Sequence, residues 1–303
     1  MWSCPPLRLS GVVPRSRARL LITLGTPVRA PVPGTGAKGR CQVEVVIKGS
    51  AEEIGALVAD AVEQLLTDRP DAVLGLATGS SPLAVYDELV RRYEAGRVSF
   101  ARARGFLLDE YVGLPADHPE RYRTVIEREL VGRVDFAPGA VQAPDGLAAD
   151  PQAAAVAYDQ AIRDAGGVDL QILGIGSNGH IAFNEPGSSL ASRTRVVALT
   201  RQTREDNARF FGGDVEAVPR LCLSQGLGTI MEARHLVLVA LGEAKAAAVQ
   251  QLVEGPVSAS WPATVMQHHP HATVLLDEAA ASRLERIDYY REAYAIKPRW
   301  QRL

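Results

Sequence analysis

From residue 43 onward, short apolar runs and amphipathic stretches alternate so regularly that few folds remain open. Residues 43–48 alternate toward a strand, and Ser50 with Glu53 three positions on forms a capping box that opens an amphipathic helix to about Leu66. The run 72–77 predicts a second strand. Ser81 followed by Pro82, a residue suited to the first helical position, predicts a helix through about Tyr93. Further strands are expected at 105–108, 169–174, 195–199, 235–241 and 272–276, with a helix at 244–253 and one long C-terminal helix from about Asp277. Strands alternating with helices imply parallel pairing, so the expected class is α/β: a single doubly wound, mostly parallel sheet with helices on both faces.

A chain of 303 residues with 47% hydrophobic content can bury one large core, and the rhythm assigns residues 44–303 to one domain. The first 43 residues differ: six arginines and one lysine, no acid, and six of the 19 prolines. They read as a disordered extension or a start codon assigned too far upstream, in preference to a transit peptide. Without those seven, the 33 basic residues fall to 26 against 35 acidic ones, so nucleic acid is not an expected partner of the folded body. No apolar run approaches the roughly 18 residues that span a bilayer, so no membrane role is expected. Cys4, Cys41 and Cys222 are odd in number and lack ligand-like spacing, which points to a reducing, cytoplasmic setting and no zinc site.

In Rossmann-like sheets ligands sit at the carboxyl ends of the strands, and four polar clusters follow predicted strands here. In Ala77-Thr78-Gly79-Ser80-Ser81-Pro82, small residues let backbone N–H groups approach an anion at a helix start; alone, the cluster reads equally well as an ordinary capped turn. Asp109 and Glu110 end an apolar strand, where burial raises a carboxylate pKa and suits proton abstraction beside a carbonyl, although Asp also commonly caps loops. His180 is followed by Glu185, an acid able to orient and charge-stabilise the imidazole. Lys245 falls in the first turn of a helix, where a cation wants an anionic partner, and Arg209 is a second candidate cation. Gly174, Gly176 and Gly179 spell G-x-G-x-x-G, but Pro186 interrupts the required helix and Leu199 stands where an acid is needed, so a nicotinamide cofactor is not expected.

At these residues the chain resembles the glucosamine-6-phosphate deaminases, within the glucosamine/galactosamine-6-phosphate isomerases. The motifs are Leu-Gly-Leu-Ala-Thr-Gly-Ser-Ser-Pro from Leu74, Leu-Asp-Glu-Tyr-Val-Gly-Leu from Leu108, Gly-His-Ile-Ala-Phe-Asn-Glu-Pro from Gly179 and Ser-Ser-Leu-Ala-Ser-Arg-Thr-Arg from Ser188. The resemblance runs from about Val43 to near Tyr290. It implies an enzyme of amino sugar catabolism that converts glucosamine 6-phosphate and water to fructose 6-phosphate and ammonia without metal or organic cofactor. It further implies that His180, held by Glu185, assists ring opening, and that Asp109 moves the C2 proton to C1 through an enediol-like intermediate before water displaces the amine. Thr78, Gly79, Ser81, Arg209 and Lys245 would hold the 6-phosphate.

Two positions depart from the family pattern. Asn178 stands where many members carry Asp: its amide can still hydrogen-bond the imidazole ring, but Glu185 alone can neutralise an imidazolium. Ser188 and Arg195 match positions of an allosteric site, but Val197 replaces a basic residue that helps bind N-acetylglucosamine 6-phosphate, so activation is expected to be weak or absent. The expected partner is a small amino sugar phosphate, and a homo-oligomer is compatible with the sequence. The rivals are a galactosamine-6-phosphate deaminase, a 6-phosphogluconolactonase and, from another class, a non-catalytic sugar-phosphate-binding regulator. Lactonases typically carry a Leu-Phe-Pro-Gly type segment where this chain has Phe183-Asn-Glu-Pro186. A regulator would not need Asp109, His180 and Glu185 together. Zinc nucleobase deaminases need H-x-E with P-C-x-x-C, absent here. His268-His269-Pro270-His271 reads as a loop ending a helix, with a lid or substrate contact as its functional alternative.

Overall fold

A computed structural model describes residues 43–298, 301 and 303. The N-terminal extension, its targeting alternative, and Cys4 and Cys41 fall outside the described residues. The elements run β1 (Glu44–Lys48), α1 (Ala51–Asp68), β2 (Val73–Leu76), α2 (Leu83–Glu94), β3 (Arg104–Leu107), β4 (Asp109–Tyr111), α3 (Tyr122–Glu129), β5 (Val141–Gln142), α4 (Pro151–Asp164), β6 (Leu170–Leu173), β7 (Arg195–Ala198), α5 (Arg201–Asn207), β8 (Leu221–Ser224), α6 (Leu227–Ile230), β9 (Leu236–Ala240), α7 (Ala246–Glu254), β10 (Ala272–Asp277), α8 (Glu278–Ala281) and α9 (Ile287–Ala295). No helix among the described residues is long and apolar enough to cross a membrane.

Seven strands form one wholly parallel sheet in the order β1-β10-β9-β6-β2-β3-β5. The central strands β2, β6 and β9 are buried at every position, as continuous apolar runs must be when both faces are covered. From β2 the chain steps one way to β3 and β5. It then returns to β6 on the other side of β2 and continues away to β9, which makes the carboxyl ends of β2 and β6 a topological switch point.

The expectation of a single sheet needs one correction. The run 195–199 does not join the parallel sheet: β7 lies in a second, antiparallel sheet of order β4-β8-β7. The β4 pairing joins residues more than a hundred positions apart, Asp109 opposite Ser224, so no hairpin signal announces it. The hinge is Leu108: its N–H donates to Leu76 O in the parallel sheet, while its C=O accepts from Gln225 N just past β8.

Local side-chain caps start α1, α4, α5 and α8. Ser50 Oγ accepts Glu53 N at 3.2 Å and the Glu53 carboxylate accepts Gly49 N at 3.3 Å, the reciprocal pattern of a capping box. At α2 the cap position is Pro82, without a side-chain cap, so Ser81 belongs to the turn rather than to the helix end. The long C-terminal helix is two helices, α8 and α9, separated by residues 282–286. The Glu254 carboxylate, at the end of α7, accepts the backbone N–H groups of Glu285 and Arg286 and so starts α9 afresh. A cap supplied by another helix leaves no trace in the neighbouring sequence.

Candidate active site

All four polar clusters follow carboxyl ends of strands that are consecutive in the sheet, β9, β6, β2 and β3. After β2, Thr78, Gly79 and Ser81 form a half-buried turn, with Gly79 at φ +92°, a conformation that favours glycine. The turn feeds α2, whose 12 residues present the positive end of their dipole to it. After β6, Gly174 lies against this turn: a Cβ there would be 3.8 Å from Ser81 Oγ. A side chain at Gly176 would overlap the His180 ring, and one at Gly179 would come within 2.7 Å of Trp261 Cε3. The three glycines thus make room for the imidazole and its neighbours, and no helix opens at Gly179; the next one is α5.

His180 and Glu185 sit in a loop pinned from the small sheet. Ser224 Oγ accepts Phe183 N, and the buried Asn184 amide donates to Ile181 O and Gln225 O. Ala182 occupies φ 49° between them, a strained value for a residue with a Cβ. Glu185 Oε2 stands 3.8 Å from His180 Nδ1, beyond hydrogen-bond length, and that buried nitrogen has no hydrogen-bond partner among the described residues. Burial lowers the His180 pKa, the Glu185 charge opposes this, and Lys245 adds to the lowering, so the ring favours the neutral form.

Asn178 was expected to reach the imidazole. It does not: its amide donates to Glu185 Oε2 at 2.8 Å and its carbonyl accepts His180 N at 3.2 Å. These two bonds fix the amide orientation, because a carboxylate must face the NH2 and a backbone N–H must face the oxygen. Asn178 therefore ties Glu185 to the backbone of His180. Thr203, which carried no signal in the sequence, donates to Glu185 Oε1, and Thr200 Oγ1 lies 3.3 Å from the same oxygen.

Asp109 and Glu110 are neighbours on β4 with opposite fates. Asp109 is buried, its carboxylate makes no hydrogen bond among the described residues, and burial reinforced by the Glu110 charge pushes its pKa up to about 8. Glu110, fully buried, accepts the N–H groups of Tyr111, Tyr122 and Arg123 and so caps α3; burial pushes its pKa up against those three bonds. Alternation along the strand separates them: Glu110 serves the scaffold, while the Asp109 carboxylate stays free of hydrogen bonds among the described residues.

Lys245 closes a one-turn 3-10 helix after β9, with its pKa lowered by burial, raised by Asp206 and lowered by Arg209. Arg209, exposed on the 3-10 turn that follows α5, stacks over the Phe210 ring at 4.7 Å. Both cations therefore act on one locality, and Lys245 also acts on His180. The buried thiol of Cys222 is pushed up by burial and further by Asp109 and Glu185, so both carboxylates act on the same part of the small sheet.

Other candidates fall elsewhere. Arg195 donates to Asn184 Oδ1 at 2.8 Å and to Ser188 Oγ at 3.2 Å, bracing the loop that carries Glu185, and Val197 packs into a small apolar cluster with Tyr111 and Phe183. The His268–His271 stretch belongs to the scaffold: His269 is buried, with Nε2 2.8 Å from Ala233 O, ahead of β9. It thus sits at the amino-terminal edge of the sheet, which rules out the substrate contact entertained for it. No group of three or more His, Cys, Asp or Glu suited to a metal occurs among the described residues.

Comparison with known proteins agrees with this geometry. A glucosamine-6-phosphate deaminase of Mycolicibacterium smegmatis is 73% identical over 259 residues, 86% of this chain and 99% of that one. The solved structure of a monomeric glucosamine-6-phosphate deaminase superposes with a TM-score of 0.77 at 39% identity, covering 79% of this chain and 99% of its own. A 6-phosphogluconolactonase from Trypanosoma cruzi shares the fold, with a TM-score of 0.67 at 19% identity over 82% of this chain and 98% of its own. The sequence family of glucosamine-6-phosphate isomerases/6-phosphogluconolactonase matches residues 48–275, and the chain belongs to that family.

Proposed function

We propose that this chain is a glucosamine-6-phosphate deaminase of amino sugar catabolism, acting in the cytoplasm on glucosamine 6-phosphate. The observation that carries the reading is the convergence of a turn suited to phosphate, a high-pKa carboxylate, an imidazole–carboxylate pair and a lysine at four neighbouring strand ends. Names of relatives support the deaminase over the lactonase, since the lactonase likeness extends to fold alone.

The 6-phosphate is held by the N–H groups of Thr78 to Ser81 at the start of α2, with Lys245 and Arg209 supplying positive charge. Fixing that remote dianion aligns the sugar, so that binding energy far from the reacting carbons lowers the barrier at them. His180, neutral and backed by Glu185, takes the C1 hydroxyl proton and passes it to the ring oxygen, which opens the pyranose. Asp109 then removes the C2 proton as the C1 oxygen gains one, giving an enolamine, and returns it to C1 as the amine nitrogen loses a proton. The resulting C2 imine adds water and releases ammonia, leaving fructose 6-phosphate. A base with a pKa near 8 suits this work, because a stronger base abstracts the carbon-bound proton more readily while part of it stays ionised near neutral pH.

Ammonia release from glucosamine 6-phosphate and galactosamine 6-phosphate, by the parent and an Asp109→Asn variant, tests the reading. Turnover of the glucosamine epimer that is lost in the variant, with binding retained, is expected; full activity in the variant overturns the assignment of the base. Because Val197 is apolar and packed, N-acetylglucosamine 6-phosphate is expected not to activate. A sigmoidal rate curve made hyperbolic by that compound would refute this.

A further inference from the structure

The hydrogen bonds around Glu185 are unevenly shared. Oε1 accepts from the hydroxyl of Thr203, which is buried, and lies 3.3 Å from Thr200 Oγ1. Oε2 accepts the Asn178 amide at 2.8 Å but stays 3.8 Å from His180 Nδ1, a buried nitrogen without a hydrogen-bond partner among the described residues. A buried ring nitrogen left unbonded beside a carboxylate is costly, so something else must hold the carboxylate back.

Thr203 is placed to do so. A threonine in the first turn of a helix ordinarily bonds a nearby backbone group, yet the Thr203 hydroxyl reaches 18 positions back to Glu185. Its oxygen in turn sits 3.1 Å from Thr200 Oγ1, and its N–H donates to that same oxygen at 3.2 Å. The Thr203 proton is committed to Glu185, so Thr200 donates to Thr203 and the two hydroxyls form a chain that polarises toward the carboxylate. Thr200 is also the N-cap of α5, which anchors the chain in a helix end.

We propose that Thr203 is a positioning residue that, with Thr200 behind it, holds the Glu185 carboxylate out of hydrogen-bond contact with His180 and so keeps the imidazole available as a proton acceptor. The inference rests on His180 being the ring-opening acid–base group. Three charges face that ring: Glu185 from its own loop and Asp206 from α5, both favouring the imidazolium, and Lys245 from the turn before α7, opposing it. Of these, Glu185 is the one the threonines hold. Released from Thr203, it can rotate onto Nδ1, and a carboxylate in contact raises an imidazole pKa.

The test compares the full chain with Thr203→Val, which keeps the shape and removes the hydroxyl, and Thr203→Ser, which restores it. Two readouts are taken: kcat and KM for ammonia release against pH, and the NMR titration of the His180 ring, assigned by its loss in His180→Gln. The valine variant is expected to titrate about one pH unit higher. Its kcat at pH 7 is expected to drop by roughly three- to tenfold, with KM within twofold and the serine variant close to the parent. An unchanged titration in the valine variant, or a serine variant as impaired as valine, overturns the proposal. Should the valine variant not fold, the parent decides: a His180 midpoint above the ordinary value near 6.5 overturns the proposal, and one below supports it. A parent that releases no ammonia overturns the deaminase reading, while the NMR titration still decides the role of Thr203.

Discussion

The two sheets differ in what they bury. β2, β6 and β9 of the parallel sheet bury almost nothing but aliphatic side chains, with Gln171 the exception. The three short strands of the antiparallel sheet bury Asp109, Glu110 and Ser224 and half-bury Arg195. One sheet supplies stability, and the other gives some of it up to hold charge where chemistry needs it.

The strongest way to break this contrast is Asp109→Asn, expected to lower kcat by about a thousandfold or more because the proposed base is gone. Its effect on stability has the opposite sign. The folded pKa of Asp109, about 8, lies above its ordinary 3.8, so the folded state retains a proton that the unfolded chain releases. Stability is therefore unaffected below about pH 4, declines as pH rises from there to about 8, and stays lower above it. The asparagine variant escapes that decline and should gain on the order of 5 kcal/mol at pH 8 and nothing at pH 3. Thermal melts at both pH values check this, and a variant less stable at pH 8 would show that Asp109 is no burden on the fold. By the same titration, kcat/KM of the parent should rise with pH toward 8.

The converse substitution lies in the parallel sheet. Leu238→Ala in β9, at a fully buried position, should cost about 3 kcal/mol through lost burial and a residual cavity. Turnover at a temperature where the variant remains folded should stay within a few-fold of the parent. A catalytic loss as large as that of Asp109→Asn would mean that the parallel sheet shapes the chemistry directly rather than through the loops at its edge.

Glu110 sharpens the comparison because it is a buried charge of the small sheet with a scaffold role. Glu110→Gln replaces one carboxylate oxygen with an amide that faces backbone donors, and should destabilise by about 2 kcal/mol. It also removes the charge that lifts Asp109, so the acidic limb of kcat/KM should move down by about half a pH unit. Chemical denaturation and a pH–rate profile check the two halves separately.

The same contrast explains what could be read from the sequence. The parallel sheet was legible because continuous apolar runs, the Ser50–Glu53 box and the glycine turns are local signals, and the strand ends carrying Thr78, Asp109, His180 and Lys245 followed from them. The antiparallel sheet was not, since Asp109 pairs with Ser224 and Arg195 pairs with that same residue across chain segments no local pattern connects. The break between α8 and α9 was hidden for the same reason, its cap coming from Glu254. Within the site, the residue types were legible while their partners were not. Asn178 was expected at the imidazole and binds Glu185, and the Thr200–Thr203 pair became meaningful only once α5 was folded against the loop.

Asn178→Asp is expected to have the smallest effect and is specific to the small sheet's side of the comparison. The amide nitrogen lies 2.8 Å from Glu185 Oε2, so an aspartate would set two carboxylates within hydrogen-bond distance. Both cannot be ionised there at once, and the pair would share one proton and titrate as a unit. The parent, with a neutral donor at that place, holds Glu185 without a shared proton. Below the titration of the shared proton the variant should work within a few-fold of the parent. Above it, repulsion displaces Glu185 and kcat should fall by about tenfold, adding an alkaline limb that the parent lacks. Profiles that overlay across the whole pH range would show that the link between Asn178 and Glu185 does not govern the imidazole, and that Asp109 alone among these groups sets the pH dependence.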